Sequence, residues 1–275
     1  MTLPNFLIVG AAKSGTTSLY HYLRQHPDIF MSPVKEPNYY TDEDNLVPNA
    51  IRARGSYEKL FAGANGERAI GEATVRYLNA IAGIDRIHAD LPGVRLIISL
   101  RQPAGRAYSS YLSHCASGRE TRSAEETLQP GSYPFETSFY YPRLRRYYDR
   151  FDHDQIKVIL FDDLVANPQN VLRDLFRFLD VDDGFIVDTS VRHNTGVAPR
   201  SRILTSLIQK GLRVLRPLVP PAFLSKGVAT RLLRPTLRKP EPMSPVLRRR
   251  LTDQYRDDII ATSDLIGRDL SHWLP

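Results

Sequence analysis

The chain has 275 residues, 42% hydrophobic and 24% charged, a composition typical of globular proteins that excludes collagen-like, low-complexity and disordered chains. Its 37 basic and 30 acidic residues give a net charge of +7, and no segment approaches the roughly 18 consecutive apolar residues of a transmembrane helix. The single cysteine, Cys115, excludes an internal disulfide framework and a zinc site built on cysteine pairs. No basic region precedes the first apolar run, as it would in a signal peptide, so we expect a soluble cytoplasmic protein.

Short apolar runs alternate with helical patterns over the first 180 residues. The predicted strands are 6–9, 69–72, 94–100 and 156–161, and the predicted helices are 49–61, 79–90, 103–117, 138–150 and 168–179. Strands that alternate with helices favour a parallel sheet flanked by helices, which is an α/β fold. Ligands of such sheets bind beyond the carboxyl ends of the strands.

We expect one domain over residues 1–275, and the alternation of strands and helices ends near residue 180. The three predicted parts are an α/β core over 4–180, a variable basic loop or lid over 181–243, and a C-terminal helix and tail over 244–275. Gly267 is the expected stop of the last helix.

The stretch 201–240 holds nine basic residues and no acidic one, interleaved with apolar residues and broken by prolines. We expect a helical basic extension here. Such a stretch suits a lid over an anionic cofactor, an acceptor site or a peripheral membrane contact, and equally a solvated helix face that packs on the core. No nucleic-acid-reading module accompanies it, so a nucleic-acid partner is not expected.

The sequence GAAKSGTT, residues 10–17, follows the first predicted strand and leads into a helical pattern. Small residues let backbone N–H groups approach an anion, the helix N-terminus adds a positive dipole, and Lys13 adds a full charge. A phosphate site is therefore predicted. In a Walker A loop the lysine follows the second glycine, whereas here Lys13 precedes Gly15. A P-loop kinase, or a nucleotide-binding module without catalysis, is therefore an alternative rather than the favoured function.

Three separated blocks resemble the sulfotransferases that depend on 3′-phosphoadenosine 5′-phosphosulfate (PAPS), in particular the bacterial and heparan-sulfate-sulfotransferase-like branch. The blocks are FLIVGAAKSGTTSLYHYLRQHP with the KEPNYY that follows it, GEATVRYL, and LIISLRQPAGRAYSSYLSH. The similarity covers most of residues 4–180, and the terminal GRDLSHWL is similar as well. The resemblance implies a P-loop-like domain that transfers a sulfuryl group to a hydroxyl of a glycan, glycolipid or secondary metabolite. It implies PAPS as donor, 3′,5′-bisphosphoadenosine (PAP) as product and no metal.

The resemblance also implies roles for residues in the cofactor site. Lys13 would neutralise the bridging oxygen, and the residues that follow it would hold the 5′-phosphate: Ser14, Gly15, Thr16, Thr17 and Ser18. Arg101 and Ser109 would bind the 3′-phosphate. The Lys-Gly-rich loop of the family is absent in its usual form, and the residues expected in its place are Arg192, Asn194, Gly196 and Arg200.

Glu72 is the predicted general base, because it ends an apolar strand whose surroundings would raise the pKa of its carboxyl. An ion pair with a basic neighbour is the alternative for this residue. His114 is the competing catalytic candidate, because imidazole titrates near neutral pH. The predicted acceptor-binding residues, for a small molecule or a glycan, are Lys35, Glu36, Tyr39 and Tyr77.

Overall fold

The computed structural model describes residues 2–42, 47, 50–191, 198–203, 205–208, 237–238 and 240–274. The chain divides into two compact units. The first contains Met1–Gln102, Phe139–Asn194 and Asp257–His272, and the second contains Pro103–Ser138, Thr195–Arg256 and Trp273–Pro275. That residues 1–275 form a single domain remains a prediction.

The first unit is built on a parallel sheet. Within the described ranges its strands are β1 (Phe6–Gly10), β2 (Ile29–Met31), β3 (Ala69–Ala73), β4 (Arg95–Leu100) and β5 (Ile156–Leu160), in the order β2-β3-β1-β4-β5. In this register Phe6 lies opposite Gly71 on one side and Arg95 on the other. Parallel strands buried on both faces have continuous apolar sequences, so β1, β3, β4 and β5 are recognisable in the sequence as short hydrophobic runs.

Helices follow most of the strands along the chain. In the described ranges the α-helices are α1 (Thr16–Leu23), α2 (Arg54–Glu58), α3 (Ala82–Asp90), α4 (Pro103–Ala116), α5 (Ala124–Thr127), α6 (Tyr133–Glu136), α7 (Tyr141–Tyr148), α8 (Phe161–Ala166), α9 (Pro168–Leu179) and α10 (Pro245–Ile266). Helices α4, α5 and α6 belong to the second unit, together with a short antiparallel pair formed by β6 (Ala198–Pro199) and β7 (Leu237–Arg238).

Helix α9 illustrates how the sequence fixes a helix against the sheet. Pro168 occupies its first turn, and the Asn167 side chain accepts a hydrogen bond of 3.2 Å from the Asn170 amide. Apolar residues recur along the helix at helical spacing, and those that are buried are Val171, Leu172, Leu175, Phe176 and Leu179. They join the core cluster that includes Phe6 and Ile8 of the central strand, so hydrophobic burial holds α9 on the sheet.

The topology of the sheet creates a switch point beside β1. From β1 the chain goes to β2 and β3 on one side of the sheet, and then to β4 and β5 on the other side. In open α/β sheets ligands bind outside the carboxyl ends of the strands at such a point. The segments that follow β1, β3 and β4 therefore meet where a ligand is expected.

The predicted α/β fold, with a central parallel sheet flanked by helices, is confirmed. The four predicted strands agree with β1, β3, β4 and β5 to within one residue at each end, whereas β2 was missed because three residues carry too short a pattern. The predicted helix over 49–61 is only α2 followed by a 3₁₀ turn at Lys59–Phe61. Gly267 follows α10 with a positive φ of 61°, as expected of a helix stop.

The segment over 181–243 is described only in part, and most of the basic stretch 201–240 lies outside the described residues. The helical basic extension thus stays a prediction. Among the helices that the structure does describe, none combines the length and the apolar character that crossing a membrane requires.

Candidate functional site

The loop between β1 and α1 has the backbone conformation of an anion cradle. Lys13 and Gly15 have positive φ values of 70° and 83°, and Gly15 is the residue at which α1 is capped. A Cβ on Gly15 would lie 2.9 Å from the Phe161 ring and 3.0 Å from Leu164, so packing as well as backbone geometry requires glycine here. The loop therefore brings the N-terminus of an eight-residue helix to the carboxyl end of the central strand.

Ser14 provides the clearest indication that this loop binds a ligand. Its side chain is fully buried, and its Oγ has no hydrogen-bond partner among the described residues. The Ser14 carbonyl accepts a hydrogen bond of 2.6 Å from Ser99 Oγ, which fixes the backbone at this position. A buried hydroxyl without a partner is unfavourable unless a ligand supplies one, so the residues of the loop fit an anionic group such as a phosphate. Thr16 is buried, and Thr17 and Ser18 are partly buried in the first turn of α1.

Arg101 reaches the phosphate loop from the end of β4. Its guanidinium Nη1 donates a hydrogen bond of 3.3 Å to the Lys13 carbonyl. The Cζ of the same guanidinium lies 4.8 Å from the centre of the Phe161 ring. Its carbonyl accepts a hydrogen bond of 2.8 Å from the hydroxyl of Tyr140. The structure thus brings together two predicted cofactor-site residues that lie 88 positions apart. A guanidinium held at the edge of an anion cradle is suited to a second phosphate.

Glu72, on β3 of the same unit, is fully buried. Thr74 Oγ1 donates a hydrogen bond of 2.8 Å to its Oε2, and the Tyr57 hydroxyl donates one of 3.3 Å to its Oε1. Burial raises the pKa of Glu72 to about 7, against hydrogen bonds from Tyr77, Thr74 and Tyr57 that lower it. In the described part of the chain no basic side chain forms an ion pair with Glu72, which speaks against the structural alternative considered for this residue.

The predicted acceptor-binding residues lie around the end of β3. The Lys35 Nζ lies 2.5 Å from Glu36 Oε1, and Glu36 Oε2 accepts a hydrogen bond of 3.2 Å from the Val75 amide. Tyr39 is 8% exposed, and its backbone amide donates a hydrogen bond of 3.1 Å to the hydroxyl of Tyr77. Tyr77 itself is fully buried, so a direct contact with an acceptor would require this cluster to open.

Three of the remaining predicted site residues belong to the second unit. Ser109 and His114 are partly buried on α4 of the second unit, and Arg200 is exposed there. The His114 ring stacks on Tyr133 with 5.9 Å between ring centres. The residues expected in the closing loop, Arg192, Asn194 and Gly196, lie outside the described residues. The roles of all six stay predictions.

Sequence analysis placed Tyr57 in the predicted helix over 49–61 and gave it no role at the site. The structure places its fully buried side chain beside Glu72. The available signal was the spacing of Tyr57 and Phe61, which is that of neighbours on a helix face. No group of three or more potential metal ligands is found in the described ranges, and a reaction without a metal stays a prediction.

Three comparisons place these features among known proteins. A family model described as "Sulfotransferase family" matches residues 33–184. A sulfotransferase structure from Alicyclobacillus acidocaldarius matches with a TM-score of 0.77 and 32% identity over 99% of both chains. Carbohydrate sulfotransferase 15 of Homo sapiens is 25% identical over 98% of this chain and 54% of its own length. A membrane-associated sulfotransferase of Dictyostelium discoideum, kil1, is 34% identical over 40% of this chain and 23% of its own length. The chain thus spans about half or less of the length of these two curated relatives.

Proposed function

Since the chain belongs to the sulfotransferase family, we propose that it transfers a sulfuryl group from PAPS to a hydroxyl of a glycan, glycolipid or secondary metabolite. The observation that carries this proposal is the loop between β1 and α1, where the buried Ser14 Oγ lacks a partner among the described residues and the Arg101 guanidinium contacts the Lys13 carbonyl. The donor carries two separate phosphate positions, and this arrangement offers a cradle for one and a guanidinium for the other.

The phosphate loop would hold the 5′-phosphate through the backbone and hydroxyls of Ser14, Thr16 and Thr17, with Ser18 in the same helical turn. Arg101 would bind the 3′-phosphate with Ser109. PAPS supplies the sulfuryl group, whose bond to the 5′-phosphate oxygen breaks as a bond to the acceptor oxygen forms. Lys13 would stabilise the negative charge that develops on the departing phosphate oxygen.

Glu72 would take the proton of the acceptor hydroxyl, because its pKa near 7 lets the carboxylate accept a proton at neutral pH. Full burial means that the acceptor must displace part of the surrounding cluster, and Lys35, Glu36, Tyr39 and Tyr77 are the proposed acceptor-side residues. His114 remains the second candidate for proton transfer.

The acceptor class is a proposal that rests on the family and on relatives named as carbohydrate sulfotransferases. A cytoplasmic location is proposed from the single cysteine, which is buried. A peripheral membrane contact through 201–240 is proposed from its basic and apolar composition. The kinase alternative is not favoured, because Lys13 precedes Gly15 in the loop.

Calorimetric titration with PAP in EDTA, beside ATP with Mg²⁺, tests the donor site directly. The proposal predicts metal-free binding of PAP and much weaker binding of ATP. Sulfuryl transfer is then measured with radiolabelled PAPS against panels of glycans, glycolipids and small hydroxyl compounds. Binding of ATP with Mg²⁺ and not of PAP would assign the loop to phosphoryl transfer instead.

A further inference from the structure

We infer that the hydroxyl of Tyr57 is a positioning group that orients the Glu72 carboxylate and favours its ionised form. The inference rests on the proposed function, in which Glu72 receives the proton of the acceptor. It adds a residue outside the three motif blocks, from the segment 49–61, whose sequence predicts a helix and carries no motif.

The two carboxylate oxygens of Glu72 have different partners. Thr74 Oγ1 donates to Oε2 at 2.8 Å and comes from the same strand end, whereas Tyr57 donates to Oε1 at 3.3 Å from α2, 15 positions earlier. Since the carboxylate is fully buried and the described part of the chain offers it no ion pair, neutral hydroxyls must compensate its charge. Tyr77 is a further hydroxyl donor that favours the ionised form, and the nearby Glu36 carboxylate favours the protonated form. Each of these groups therefore influences the balance between the two forms.

The ring of Tyr57 is held in place independently of Glu72. It stacks on the Tyr39 ring at 4.3 Å with 11° between planes, and it meets the edges of Tyr40 at 5.5 Å and Phe61 at 5.2 Å. Helix α2 has only five residues, so this aromatic packing, rather than the helix, fixes the position of the hydroxyl.

Tyr57 remains a donor at every working pH. Burial, and then the nearby Glu72 charge, raise the pKa of Tyr57 well above its ordinary value. The hydroxyl therefore keeps its proton and can only donate to a carboxylate at this distance. A role limited to packing would depend on the ring, whereas a positioning role depends on the hydroxyl.

Infrared spectroscopy of the full chain across pH 5 to 9 separates these roles without any acceptor. The band of a protonated carboxyl that disappears in Glu72→Gln is assigned to Glu72, and its midpoint is then measured in Tyr57→Phe. We expect the midpoint to move upward by about half a unit to one unit, because one hydrogen bond to the ionised form is lost. Tyr40→Phe is the matched control, since its hydroxyl bonds Asp90 rather than Glu72 and its ring packs in the same cluster. The control midpoint should stay in place.

An unmoved midpoint in a folded Tyr57→Phe protein overturns the inference. If Tyr57→Phe does not fold, replacement of Tyr57 by 3-fluorotyrosine keeps the ring and makes the hydroxyl a stronger donor to Glu72 Oε1, so the midpoint should move downward, and an unmoved midpoint overturns the inference. The spectroscopic test of the Tyr57 inference and the activity test of the proposed reaction can give opposite results. If the shift occurs while Glu72→Gln transfers sulfuryl groups at the wild-type rate, the positioning stands and the assignment of the base is wrong.

Discussion

The guanidinium of Arg101 donates a hydrogen bond to the carbonyl oxygen of Lys13 across 3.3 Å, which joins the segments that follow β4 and β1. These strands are neighbours in the sheet, so their carboxyl ends meet at the switch point. The contact therefore links Arg101, which we propose binds the 3′-phosphate, to the loop that we propose binds the 5′-phosphate.

Arg101→Ala should weaken PAP binding by about 30-fold to 150-fold, since a charge-assisted contact to phosphate is worth about 2 to 3 kcal/mol. Arg101→Lys keeps the charge but loses the planar fork, and should recover only part of the affinity. Calorimetry measures both, with the exposed Arg68→Ala as a control for removing an arginine from the same unit. Equal affinity in Arg101→Ala and the wild type would remove Arg101 from the site.

Lys13→Ala should lower kcat by about 10²-fold to 10³-fold, because the charge on the departing oxygen is larger in the transition state than in the bound donor. PAP affinity should fall much less than kcat does. Lys59→Ala, which removes an exposed lysine of the same unit, should leave both quantities unchanged. Equal losses in affinity and kcat/KM, with kcat intact, would show that Lys13 only binds the donor.

Gly15→Ala should unfold more easily than Gly66→Ala, although both glycines have positive φ values, of 83° and 94°. The two variants share a backbone cost of about 1 to 2 kcal/mol. Only the new Cβ at position 15 meets other atoms within 4 Å, in Phe161 and Leu164, which adds about 1 to 3 kcal/mol. Denaturant unfolding measures the difference in stability. Equal free energies of unfolding for Gly15→Ala and Gly66→Ala would show that Phe161 and Leu164 move aside without cost.

The buried carboxyl of Glu72 should make the stability of the wild type depend on pH. Its pKa is about 7 in the folded chain against an ordinary value of 4.5, so between these values the folded state keeps a proton that the unfolded state has lost. The free energy of unfolding should therefore fall as pH rises from 4.5 to 7, by up to about 3 kcal/mol. Glu72→Gln should lack this fall and be more stable than the wild type above pH 7. In turnover, kcat should rise with pH through about 7.

If the unfolding free energies of Glu72→Gln and the wild type run parallel across this pH range, Glu72 titrates normally in the folded chain. The comparison uses denaturant midpoints at matched ionic strength, so that the screening of surface charges is the same in both proteins.

Asp258 of α10 should stabilise the start of α7. Its carboxylate accepts hydrogen bonds from the amides of Tyr140 at 2.7 Å and Tyr141 at 3.0 Å, as a capping residue does. Asp258→Ala should lower the free energy of unfolding by about 1 to 2 kcal/mol, and Asp258→Asn by less, since the amide keeps one acceptor oxygen. The neighbouring exposed Asp257→Ala is the control and should change stability little. If Asp257→Ala lowered the free energy of unfolding as much as Asp258→Ala, the effect would come from losing a negative charge on α10 rather than from losing the cap of α7.

The local patterns that the sequence carries identified much of the first unit. The loop from Gly10 to Thr17 was recognisable because its residue types act through the adjacent backbone, and β1, β3, β4 and β5 were recognisable because burial on both faces gives continuous apolar runs. These properties depend on neighbours in the chain, so one sequence suffices to predict them. The short β2 and the extent of α2 were not predicted, since three to five residues carry too little periodicity.

Tertiary structure alone decided which distant groups meet. The contact of Arg101 with Lys13 spans 88 positions, and the contact of Tyr57 with Glu72 joins a segment of no recognisable motif to a strand end. Strand order in the sheet produces the first, and packing of aromatic rings around a buried carboxylate produces the second. Strand order and burial arise from the whole chain, because they depend on how distant segments exclude water together. Local sequence was therefore enough to predict four of the five strands of the sheet and the phosphate loop, whereas the environment in which Glu72 holds its proton arises only in the folded chain.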